Sequence, residues 1–71
     1  MADVRAEMSG VLSAWKVGVG DRVLAGQEIG VMESMKMEIP ITATQDGTVS
    51  ALSANPGDFV QEGDTVAVID A

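Results

Sequence analysis

Val, Ile and Leu recur at spacing two within short runs along this chain, and the runs end at Gly-Asp or x-Gly-polar punctuation. Helical i, i+3, i+4 periodicity is sustained nowhere, so the pattern predicts short strands joined by turns and an all-β fold. The pattern also repeats. Gly10 to Glu33 aligns without a gap on Gly47 to Asp70, a constant offset of 47 − 10 = 37. Identical pairs are Gly10/Gly47, Ser13/Ser50, Ala14/Ala51, Gly20/Gly57, Asp21/Asp58, Val23/Val60, Gly26/Gly63 and Val31/Val68, and the glycines coincide as well as the valines. Gly20-Asp21 and Gly57-Asp58 are turn signals, and Gly26 and Gly63 suit the positive-φ position of a tight reversal.

Leu12 to Trp15, and likewise Val49 to Leu52, are three apart, so a pleated strand turns both inward only across a bulge, expected near Ser13-Ala14 and Ser50-Ala51. Eight short strands in two equal halves make two four-stranded sheets related by an approximate twofold, a flattened eight-stranded barrel. Its expected core is Leu12, Trp15, Val17, Val23, Ile29, Val31, Ile39, Ile41, Val49, Leu52, Val60, Val66 and Val68. Residues 1–71 are read as one domain, too small for a deep substrate pocket.

Composition narrows the chemistry. With no Cys and no His, thiol nucleophiles, disulfides, Cys/His metal sites and imidazole bases are excluded by inventory. A formal charge of −7 repels phosphate backbones and anionic lipid and favours a basic partner. No signal peptide or membrane span is encoded, and the expectation is a cytoplasmic, monomeric protein that binds neither nucleic acid nor membrane.

Subtracting the two copies leaves the N-terminal arm and the segment Ser34 to Asp46. If the strand ending at Glu33-Ser34 turns back into Met37-Glu38, Met35 and Lys36 occupy a two-residue loop and Glu33 faces Glu38. Two local rules then break at once. Primed hairpin turns want Asn, Asp or Gly at positive φ, and like charges directly opposite each other are unfavourable. Such a concentration of local violations is where function overrides stability. Lys36 is one of two lysines and stands at the apex as an amine open to acylation. A lysine amine in water is mostly protonated at neutral pH, so it needs an activated acyl donor and a partner that removes its proton. An ordinary solvated hairpin lysine is the competing reading. Met35 and Met37 fit core packing and adaptable recognition equally well. The other lysine, Lys16, is expected mid-strand.

The run Glu33-Ser34-Met35-Lys36-Met37-Glu38, centred between two Gly-Asp-x-Val-x-x-Gly segments, resembles the attachment hairpin of biotinyl domains, and the resemblance covers essentially the whole chain. It implies the flattened barrel, with the lysine hairpin at one end and both termini at the other. It also implies covalent biotin on Lys36: a biotin protein ligase presents biotinyl-adenylate to the amine, and the attached ring accepts a carboxyl group at a biotin carboxylase and delivers it at a carboxyltransferase. By the same resemblance Met35 and Met37 position the lysine, while Glu33 and Glu38 help exclude wrong modifying enzymes. The domain itself is non-catalytic. The thumb insertion of some acetyl-CoA carboxylase carriers is missing, as is an Ala/Pro-rich linker before Met1, so a stand-alone attachment protein is expected, with an excised domain as the alternative. Lipoyl carriers also modify a hairpin lysine, typically within Asp-Lys-Ala, and lipoyl or dual modification is the runner-up. An unmodified assembly module is the third reading.

Overall fold

The structure, a computed structural model, describes residues 2–71. Its strands are β1 (Ala2–Arg5), β2 (Gly10–Trp15), β3 (Arg22–Val23), β4 (Glu28–Ser34), β5 (Met37–Thr42), β6 (Gly47–Leu52), β7 (Phe59–Val60) and β8 (Thr65–Asp70). They form two four-stranded antiparallel sheets, ordered β1-β8-β6-β3 and β5-β4-β2-β7. The all-β, two-sheet architecture expected from the alternation and the repeat is present.

The sequence repeat maps β2 onto β6, β3 onto β7 and β4 onto β8, and it reaches further than the identities suggest. The Ala6 amide donates to the Asp64 carbonyl at 2.9 Å, and the Ala43 amide to the Gln27 carbonyl at 2.9 Å, two bonds related by the same offset. β1 is therefore the counterpart of β5, and the arm belongs to the first copy. Residues 2–34 correspond to 39–71, and Met35 to Glu38 are the link between them. Each sheet takes two strands from each copy, so the halves interlock.

The expected bulges are present. Pairing shifts register between Leu12 and Ala14 and between Val49 and Ala51, which leaves Leu12 and Val49 buried while Trp15 and Leu52 still pack on the core. A second pair of shifts departs from simple alternation. β4 slips against β5 at Ile29, and β8 slips against β1 at Val66. Each slip moves the alternation by one residue. Ile29 and Gly30 are both buried, Met32 and Ile69 turn inward, and Val31 and Val68 are only half-buried and lie outside the core cluster. The placement of Val31 and Val68 in the core is thereby corrected. Val4, Ala6, Ala43, Ala54 and Ala67 join the core as well. Trp15 lies over Gly30, where a Cβ would come within 2.6 Å of the indole ring, and its Nε1 donates to the Ala54 carbonyl at 2.8 Å.

The molecule measures 32 × 17 × 17 Å. Ala2 pairs with Ile69, so the chain ends meet where the twofold places the counterpart of the β4-β5 hairpin. Hairpin and termini occupy opposite ends.

Candidate functional site

The β4-β5 ladder pairs Glu33 with Glu38 and Ser34 with Met37, leaving Met35 and Lys36 as a two-residue loop in the expected register. Met35 has φ 52° and Lys36 φ 64°. Both central residues of a type I′ hairpin turn need positive φ, because that turn's twist matches the twist of the strands. A side chain with a Cβ is strained there by roughly 1–2 kcal/mol per residue.

Lys36 is exposed at the tip and joins none of the ion pairs among the described residues, which are Arg5 with Asp3 and Lys16 with Glu28. Glu33 and Glu38 stand opposite each other behind it, both exposed. Met35 is 86% exposed and Met37 66%, so neither packs in the core. Lys16 is one residue beyond the end of β2 rather than mid-strand. Its amide still donates to the Ile29 carbonyl at 2.8 Å, and its ammonium is occupied by Glu28.

The base of the hairpin is held by residues that sequence reasoning passed over. Ser34 is buried, and its Oγ donates to the Ser9 carbonyl at 2.7 Å. The Glu62 amide in turn donates to Ser9 Oγ at 3.1 Å. Beneath Ser34 lies Gly10, where a Cβ would fall 2.5 Å from the Glu33 carbonyl oxygen. The available signal was a glycine repeated at a strand position, which marks close backbone approach. The tip is thus an exposed amine on a short, tightly based projection. Such an arrangement leaves the amine sterically open to another protein.

Residues 2–69 match the family described as biotin-requiring enzyme. The chain is 49% identical over 65 residues to the biotin/lipoyl attachment protein of Bacillus subtilis, covering 89% of this chain and 86% of that one. It is 45% identical over 67 residues to the biotinylated protein TB7.3 homolog of Mycobacterium leprae, covering 94% of each. Among solved structures, the crystal structure of Kluyveromyces lactis urea carboxylase superposes with a TM-score of 0.93 at 36% identity, over 97% of this chain and 6% of that one. Relatives thus occur both as chains of about this length and as a small part of a large carboxylase, and this chain belongs to the biotin/lipoyl attachment family.

Proposed function

We propose that the chain is a biotin carrier, with the biotin carboxyl joined in an amide to Nζ of Lys36. The observation that carries this reading is the tip itself: an exposed amine at positive φ, flanked by two exposed methionines, where the turn alone would favour Asn and Gly. The residues present fit the group, since an amide on Lys36 leaves the arm in solvent and calls for no pocket in this chain. When bound, the biotin ring supplies carboxyl transfer between a biotin carboxylase and a carboxyltransferase. Met35 and Met37 present uncharged, adaptable surface beside the amine. Glu33 and Glu38 form the second rung behind it, where their carboxylates repel enzymes built for a different hairpin. The names of the M. leprae and K. lactis relatives support biotin and a carboxylase context.

The B. subtilis name favours a second reading, in which the same lysine also takes lipoate. One experiment addresses both. The apo-protein is incubated separately with a biotin protein ligase and with a lipoate ligase, each with its acid and ATP, and intact mass is read. A single biotin on the wild type and none on Lys36→Arg is the expected result. Ready lipoylation with poor biotinylation would reassign Lys36 as a lipoyl site, and labelling that persists in Lys36→Arg would remove the assignment to this residue.

A further inference from the structure

The outer face of the hairpin's own sheet carries an apolar surface that the fold does not need. Phe59 on β7 pairs with Val11 on β2, Val11 pairs with Glu33 on β4, and Glu33 pairs with Glu38 on β5. These four form one row across the sheet, separated from the loop that holds Lys36 by the Ser34–Met37 pair. Phe59 is 64% exposed and Val11 41%.

The internal repeat provides the control. At the opposite end the same row reads Arg22, Thr48 and Asp70, paired in the same order. One backbone thus accepts an exposed Arg and a half-buried Thr at one end and an exposed Phe and Val at the other. Beside Phe59, a cleft of about 430 Å³ is lined by Ser53, Asp58, Asp64 and Thr65 among others. In the first copy the positions of Ser53 and Thr65 are held by Lys16 and Glu28, which close on each other as an ion pair. On this row the hairpin end is therefore the more apolar of the two, and its cleft lacks the ion pair that closes its twin's; the exposed Val19 and Leu24 of the far end lie off the row. Its rim is acidic, with Glu33, Glu38, Asp58 and Glu62 all exposed.

We propose that Phe59 and Val11 are the docking surface for the ligase that acylates Lys36, with Glu33 and Glu38 meeting basic side chains around an apolar patch on that enzyme. This rests on the biotin-carrier reading. A ligase, unlike a carboxylase, is the fitting occupant because it acts on the bare amine. It must approach within one side chain's reach of the tip, whereas enzymes that act on the finished arm work at the arm's length. An aromatic anchor with a charged rim suits this encounter, since the rim steers approach and the aromatic supplies binding energy.

The test uses the apo-protein as acyl acceptor in steady-state kinetics with a biotin protein ligase, biotin and ATP. Phe59→Arg imports the residue that the repeat already carries at Arg22, and Val11→Thr imports that of Thr48, so both are compatible with the backbone. Each is expected to raise KM, Phe59→Arg about tenfold, with kcat and the thermal midpoint unchanged. Acylation of Lys36 by a water-soluble active ester should proceed at the wild-type rate, and Arg22→Phe at the far end should leave KM unchanged. A wild-type KM in both hairpin-end variants, with the wild type biotinylated, overturns the surface and leaves the carrier reading standing. A wild type that biotin ligase does not modify overturns both.

Discussion

Met35 and Lys36 are the non-glycine residues with positive φ among the described residues, and they are adjacent at the hairpin tip that carries the exposed Lys36 amine. Strain of this kind persists where the surroundings over-determine it. Here the ladder fixes the register on one side, and the Ser34 bond to Ser9 fixes the base on the other. If the tip is kept against local preference, giving it the residues its turn prefers should stabilise the protein. Met35→Asn combined with Lys36→Gly is expected to raise unfolding free energy by about 1 kcal/mol, after allowing for the freedom glycine adds to the unfolded chain. In a domain of this size the thermal midpoint would rise by several degrees. Lower stability in chemical denaturation would show that the two side chains support the fold, and the account of the tip as strained for function would fail.

The turns between strands are built twice to one plan. Asp21 Oδ2 accepts the Gly18 amide at 2.8 Å and Asp58 Oδ2 accepts the Asn55 amide at 2.9 Å. Gln27 Oε1 accepts the Leu24 amide and Asp64 Oδ2 the Gln61 amide, each at 3.0 Å. Gly26 and Gly63 follow at φ 84° and 89°, with open space where a Cβ would stand. The penalty for Ala at either site therefore comes from the backbone alone, about 1 kcal/mol. Gly26→Ala and Gly63→Ala should lower the thermal midpoint by similar amounts, and clearly unequal shifts would show that the two turns are not equivalent. These turns were legible in the sequence because their determinants are local. The bulges at Ser13 and Ser50 were legible too, from apolar residues three apart. Val31 and Val68 were misplaced because the slips at Ile29 and Val66 depend on the partner strand, and simple alternation does not reveal them. The arm shows no repeat in sequence because β1 matches β5 in backbone role with no identical residue, and only Ala6 and Ala43, just past the two strands, coincide. At the site, the loop and the facing glutamates followed from hairpin register. The Ser34 to Ser9 bond joins residues 25 apart in the chain, and nothing local encodes it.

At the scale of the whole molecule, the twofold makes the two ends alternatives for a hairpin, and the chain uses one of them. The ends share backbone and pairing, and they differ in what covers the outer face. That difference separates two accounts of ligase recognition. In one, a strained Met-Lys-Met hairpin suffices wherever the fold supports it; in the other, the hairpin must stand beside Phe59 and Val11. A permutant that exchanges the two copies isolates the variable. It runs from Ile39 to Ala71, continues through Met-Lys-Met-Glu, and resumes at Ala2 to end at Ser34. The interlocked sheets need both copies but not their order, and Ala2 already pairs with Ile69, so circular dichroism should show the same fold. The new lysine would then lie beside Asp70, Thr48 and Arg22. Under the docking account its KM for biotin ligase rises about tenfold, and Arg22→Phe with Thr48→Val in the permutant restores it. Modification of the unaltered permutant at the wild-type KM would show that the hairpin is sufficient, and the apolar row would then need another partner to explain its exposure.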